Sequence, residues 1–127
     1  MNLLLDTHAL LWWLSGDARL GPGARKQIAA GESRVLVSAA TAWELSHKRA
    51  AGKIRIDWDI REEIAEEGFL ELPIAVEHAI AAAELPRYHA DPFDRLLVAQ
   101  ARVEGLWLVT ADADVQRYDV PWLDAEA

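Results

Sequence analysis

Short apolar runs alternating with helical stretches constrain this chain more than any other feature. Leu3-Leu4-Leu5, Val35-Leu36-Val37 and Leu106-Trp107-Leu108-Val109 each read as a buried strand. The first strand spans Asn2 to Leu5, and a helix follows from about Thr7 to Leu14, punctuated by Ser15-Gly16-Asp17. A second helix covers Gly21 to Gly31, with Pro22 near its start. Ser38 can cap a third helix that runs to about Ala51 before Gly52. Glu62 to Glu67 is helical and closed by Gly68, Phe69 to Leu72 is a short strand, and Val76 to Glu84 is an Ala-rich helix. Pro86 to Pro92 forms a loop, Asp94 to Glu104 a helix stopped by Gly105, and Val120 to Leu123 a candidate edge strand. Such alternation predicts an α/β fold whose central parallel sheet is covered on both faces.

In a parallel sheet the carboxyl ends of the strands face one crevice, where ligands bind. Four acids fall where an element of this fold should end or begin. Asp6 ends the first strand, Glu44 lies in the helix after the second, Asp94 opens a helix, and Asp112 follows the strand Leu106 to Val109. Four carboxylates converging on one crevice repel one another unless a cation sits between them. An all-oxygen site suits Mg²⁺ or Mn²⁺, ions that serve phosphoryl chemistry.

Each acid also has a plain structural explanation. Asp6 can be the N-cap of the next helix. Glu44 can face solvent and pair with Lys48 four residues on. Asp94 can be an ordinary acid favoured by the helix dipole. Asp91 precedes Pro92 and so belongs to the loop, and Asp114 is expected to cap the turn after Asp112. Thr7 can orient a carboxylate or a water, and Arg95 can pair with an acid or meet a phosphate. His89 could act as a base, although a lone loop histidine is more often solvated. Trp12 and Trp13 are adjacent on one helix, about 100° apart, so burying both is difficult, and one of them either faces a partner or is simply a partly exposed aromatic.

The 127 residues lead us to expect one domain over residues 1–127, and 52% hydrophobic residues suffice for a full core. The absence of cysteine removes disulfides, zinc-thiolate sites and thiol nucleophiles. No signal peptide or membrane-length apolar run is visible, so no membrane association and a cytoplasmic location are the default expectations. A net charge of −8 argues against holding nucleic acid by charge alone, but not against an enzyme that meets a polyanion through a bound metal. The basic residues cluster at His47, Lys48, Arg49, Lys53 and Arg55, while Asp57 to Glu71 is strongly acidic; a solvated helix face also explains such blocks.

The stretches Leu3 to Trp12, Ser38 to Ile54, His89 to Ala101 and Leu108-Val109-Thr110-Ala111-Asp112 resemble the PIN-domain ribonucleases. Within that family the chain is most similar to the VapC toxins of prokaryotic type II toxin–antitoxin modules. Asp91-Pro92-Phe93-Asp94-Arg95 with Ala99-Gln100-Ala101 is a signature of one VapC branch. The resemblance implies a PIN-like α/β/α sandwich around a central parallel sheet. It implies Mg²⁺- or Mn²⁺-dependent cleavage of RNA, a cognate antitoxin protein and a homodimer. The family's acids carry over onto Asp6, Glu44, Asp94 and Asp112 as catalytic and metal-binding residues, and the Thr of its strand-end motif onto Thr110. Ala111 stands where many members have a polar residue such as Asn.

Other readings of an acidic pocket fit less well. A signalling receiver domain needs a late Lys, and the lysines here are Lys26, Lys48 and Lys53. A phosphatase with a nucleophilic Asp wants an acid two residues after Asp6, where His8 stands. A catalytically idle PIN-like module that binds RNA or protein remains the alternative, and the presence of all four acids argues against it.

Overall fold

The computed structural model describes residues 1–127. Its five strands are β1 (Asn2–Leu5), β2 (Arg34–Ser38), β3 (Leu70–Leu72), β4 (Trp107–Thr110) and β5 (Trp122–Asp124). They form one parallel sheet in the order β3-β2-β1-β4-β5. The helices are α1 (Thr7–Ser15), α2 (Pro22–Ala29), α3 (Ala39–Ala50), α4 (Ile60–Glu66), α5 (Val76–Glu84) and α6 (Pro92–Glu104), with one 3₁₀ turn at Val115–Arg117.

Strand side chains alternate between two cores, as a pleat requires. Leu3, Leu5, Val35, Val37 and Val109 pack on one face against Ala9 and Leu10 of α1, Ala24 and Ile28 of α2, and Ile64 of α4. Leu4, Leu36, Leu72 and Leu108 pack on the other against Ala82 of α5 and Leu97, Val98 and Ala101 of α6. Both faces being covered explains why the strands are apolar at every position rather than at alternate ones. Each fully buried leucine contributes about 2 kcal/mol. The result is the three-layer α/β/α sandwich expected from the sequence. No helix is long and apolar enough to cross a membrane.

The chain runs outward from β1 through β2 to β3, then returns to the other side of β1 for β4 and β5. The sheet order therefore reverses at β1, and the crevice at a reversal is where such sheets bind ligands. Leu5 stands level with Val37 and Val109, which puts Asp6, Ser38 and Thr110 at one height on the rim.

One boundary differs from expectation in a way that moves a site residue. The sequence places the start of the last long helix at Asp94, but α6 begins at Pro92 with Asp91 as its cap. Proline favours the first helical position, where its missing N–H has no partner to lose. Asp94 therefore lies inside the first turn, facing the crevice. At the other end, Gly105 takes the left-handed conformation (φ 67°) that lets the chain turn sharply into β4.

Candidate active site

Asp6 caps α1 and enters the crevice at once. Its carboxylate accepts the Ala9 N–H at 2.8 Å, yet the residue is buried at the end of β1. Burial pushes its carboxyl pKa up, opposed by the Ala9 bond and the Thr110 hydroxyl, which favour the charged form. The capping and crevice readings of Asp6 therefore hold together.

Glu44 is 4% exposed, so the solvent-facing reading is overturned. Its pairing with Lys48 is present, with Nζ 2.6 Å from Oε2, and the Thr7 hydroxyl donates to Oε1 at 2.5 Å. Thr7 thus orients a carboxylate, that of Glu44 across the crevice rather than its neighbour's. The Lys48 pKa is raised, first by this hydrogen bond, with Asp91 and Asp94 adding attraction.

Asp94 is perturbed in the same direction as Asp6. Burial, then the charges of Asp91 and Asp6, push its pKa up to about 7, against the pull of His89. Asp91 accepts the N–H groups of Phe93 and Asp94 at 2.8 and 3.1 Å, so its identifiable role is to start α6. Asp112 accepts the N–H groups of Asp114 and Val115 at 2.8 and 3.3 Å. Asp112, not Asp114, therefore caps the turn: a carboxylate two residues earlier meets these amides, while Asp114 stays exposed. The Thr110 hydroxyl accepts the Asp112 N–H at 3.1 Å and fixes the backbone that presents this acid.

His89 lies inside the cluster and is not the solvated loop residue its sequence context suggests. Its Nε2 is 2.9 Å from Asp94 Oδ2 and 3.2 Å from Asp112 Oδ2. Neither oxygen is aligned for a hydrogen bond, so this buried nitrogen has no partner. The ligand atoms of His89, Asp94 and Asp112 all lie within 4.8 Å of one another, close enough to share one ion. The only hint in the sequence was the density of polar residues around Asp91.

Arg95 does not face the acids. Its guanidinium donates to the carbonyls of Ala82, Leu85, Pro86 and His89 and to the Tyr118 hydroxyl. Five forked N–H donors match the carbonyls left open where α5 ends. Tyr118 donates to Pro86 and accepts the His89 N–H at 3.1 Å, so this pair fixes the loop that positions His89.

Of the basic cluster only Lys48 enters the site; His47, Arg49, Lys53 and Arg55 are exposed. Both tryptophans of α1 pack within the chain, Trp12 buried and Trp13 half-buried, which fits the partly exposed aromatic. Trp12 is buried, with Arg19 over its ring at 5.0 Å. Trp13 donates to Glu67 at 3.0 Å and packs on Phe69. The most exposed aromatic is Trp43, 58% exposed beside Glu44, with Phe93 edge-on at 4.9 Å.

A parallel α/β/α sandwich with acids gathered at its reversal point places a polar crevice where sheets of this class bind ligands. The family model of the PIN domain matches residues 3–121, and the chain belongs to the PIN-domain family. Its fold is similar to that of a toxin–antitoxin complex from Klebsiella pneumoniae, with TM-score 0.70 and 19% identity over 97% of each chain. It is also similar to a DNA-bound VapBC from Salmonella typhimurium, with TM-score 0.67 and 20% identity over 98% of each chain. FitAcB from Neisseria gonorrhoeae gives TM-score 0.63 and 21% identity over 97% of each chain. No curated protein matches the sequence.

Proposed function

We propose that this chain is a Mg²⁺- or Mn²⁺-dependent endoribonuclease, the VapC-type toxin of a toxin–antitoxin pair, acting as a single PIN domain over residues 1–127. One observation carries the reading. His89 Nε2, left without a hydrogen-bond partner, lies against Asp94 and Asp112, and the Asp94 carboxyl is held near 7 first by burial and then by the charges of Asp91 and Asp6. A divalent cation among them relieves both the repulsion and the missing partner. The donors are carboxylate oxygens and one imidazole, with no sulfur, a set that suits Mg²⁺ or Mn²⁺.

Asp6, Asp94 and Asp112 would hold the ion, with His89 beside them. Bound there, the ion would supply charge stabilisation for the phosphate and the leaving 3′ oxygen and would lower the pKa of a water. Glu44, fixed by Thr7 and Lys48, accepts a hydrogen bond from the attacking water and sets its line of approach. Thr110 holds Asp112 in place and supports the charge of Asp6. The exposed Arg49, Lys53 and Arg55 guide the RNA backbone without reading its sequence. The products carry 5′-phosphate and 3′-hydroxyl ends. An antitoxin partner is supported by the assemblies named for the similar structures, and a homodimer belongs to the same proposal.

Cleavage of RNA by the purified chain in Mg²⁺, in Mn²⁺ and in EDTA tests the proposal. Cutting is expected only with metal, and Asp6→Asn should lower the rate by orders of magnitude. Equal cutting in EDTA refutes it, and metal binding without cleavage points to the idle module instead.

A further inference from the structure

We infer that Lys48 is a built-in cation that replaces a second metal ion, binding Glu44 on one side and a nonbridging oxygen of the scissile phosphate on the other. This rests on the metal-nuclease reading above and revises the expectation that Glu44 is a metal ligand.

The acids divide into two halves. In one, His89 Nε2, Asp94 Oδ2 and Asp112 Oδ2 lie within 4.8 Å of one another, and none has a cationic side chain of Lys or Arg against it. In the other, both oxygens of Glu44 are engaged, Oε1 by the Thr7 hydroxyl at 2.5 Å and Oε2 by the Lys48 ammonium at 2.6 Å. Neither Glu44 nor Asp6 is among the three mutually close ligand atoms, but Asp6 has no Lys or Arg paired with it, while Glu44 already holds one.

The engagement of Glu44 is built into the helix. Lys48 follows it by one turn of α3, the spacing at which Glu and Lys side chains meet most favourably. The Lys48 side chain is 38% exposed, so its stem is packed while its tip reaches the crevice. Thr7 holds Glu44 from the opposite side, from the first residue of α1. A divalent ion sharing Oε2 with Lys48 would stand close to the ammonium, and the two cations would repel strongly in this partly buried place.

A two-metal nuclease sets its ions about 4 Å apart, one for the attacking and one for the leaving oxygen. Here the first position has its ligands, and the second is filled by an ammonium with three donors. One donor meets Glu44, and the others are available to phosphate, for which Lys acts as a compact point charge. No proton leaves Nζ; the ammonium contributes charge and hydrogen bonds as negative charge builds on the phosphate oxygens.

Mn²⁺ titration of the full chain, followed by the electron paramagnetic resonance of free Mn²⁺, tests this together with steady-state RNA cleavage. The wild type should bind one Mn²⁺ per chain. Lys48→Met should bind two, because Glu44 is released, and should lose about 100-fold in kcat. Lys48→Arg should keep the single Mn²⁺ and recover part of kcat. Glu44→Gln should bind its single Mn²⁺ within about threefold of the wild-type affinity, because no ligand has been lost. Glu44→Gln, which leaves Lys48 in place, guards against misfolding of Lys48→Met. Two Mn²⁺ per wild-type chain, or a Glu44→Gln chain with strongly weakened binding, overturns the role of Lys48 and leaves the nuclease reading standing. No Mn²⁺ bound by the wild type overturns the nuclease reading itself.

Discussion

Two histidines of this chain sit against carboxylates, and the resulting clusters are alike in composition. His78 lies with Glu77 and Glu104, and His89 with Asp94 and Asp112; in each trio the ligand atoms fall within 4.8 Å of one another. The bonding is different. His78 is 2% exposed, its Nδ1 accepts the Ala75 N–H at 2.8 Å, and its Nε2 lies 2.9 Å from Glu104. Both ring nitrogens are satisfied, and Gln100 packs against the ring while bonding Ser38 and the Pro73 carbonyl. His78 therefore ties the start of α5 to α6. At His89 the buried Nε2 faces two carboxylates and bonds neither, and Nδ1 has only a 3.5 Å contact with the Asp91 N–H, too long to hold the ring in the tautomer that protonates Nε2. Filled valences mark a structural histidine; an open one, held in place by Arg95 and Tyr118, marks a place for a ligand.

The largest difference should appear in folding. His78→Ala removes two hydrogen bonds, leaves the Ala75 N–H open at a helix start, and vacates buried volume. About 3 kcal/mol is expected to be lost, roughly a 10 °C fall in Tm. Mn²⁺ affinity of the folded variant should match wild type. A melt unchanged within error would remove the structural role assigned to His78.

Next in size is the response of Asp94. Its folded carboxyl pKa, about 7, lies above the ordinary 3.8, so the native state binds the proton more tightly than the unfolded chain does. The destabilisation is absent below the unfolded pKa, grows as pH rises, and is complete above the folded pKa. Metal-free protein should therefore lose stability from about pH 4 to about pH 8 through this group. Asp94→Asn removes the penalty but also the attraction to His89 and to the helix dipole. A net gain of about 2 kcal/mol at pH 8 in EDTA is expected, with a smaller stabilisation by Mg²⁺. Thermal melts at pH 5 and pH 8, with and without Mg²⁺, check this; a variant less stable than wild type at pH 8 would make Asp94 an ordinary helix-start acid.

His89→Ala should be nearly silent in folding, under about 1 kcal/mol, since Nε2 holds no hydrogen bond. It should weaken Mn²⁺ about tenfold and Mg²⁺ less, because imidazole favours the softer ion. Competition titrations give the ratio, and an unchanged Mn²⁺ affinity excludes His89 from the ligand set.

The contrast between these histidines also locates the limit of sequence reading. The strands were legible because burial on both faces leaves uninterrupted apolar runs, as in Leu3-Leu4-Leu5. The acids were legible because strand ends mark the crevice. What Asp6 does there was not, since capping and crevice placement are compatible and only burial shows both. Arg95 looked free because its partners are backbone carbonyls, which every residue carries and no motif records. His89 looked solvated because its neighbours come from α6 and from the segment after β4, distant along the chain. Lys48 was visible as a helix neighbour of Glu44, but its reach into the crevice depended on which way α3 faces.

The smallest effect discriminates most directly between the two clusters. Glu77 completes the trio around His78, and the trio alone would suit a metal. If an ion belonged there, Glu77→Ala would abolish a metal-dependent rise in Tm. The bonding predicts otherwise. His78 has no free lone pair, because Nδ1 accepts Ala75 and Nε2 faces Glu104. Glu77 is exposed in the first turn of α5, where its charge meets the helix dipole. Its loss should therefore cost no more than about 0.5 kcal/mol, a shift of a degree or two, equal in EDTA and in Mn²⁺. Melts of Glu77→Ala beside wild type, at several Mn²⁺ concentrations, decide the matter: two curves that stay parallel leave the His89 cluster as the metal site, and curves that diverge with Mn²⁺ mean that filled valences do not exclude a ligand in this fold.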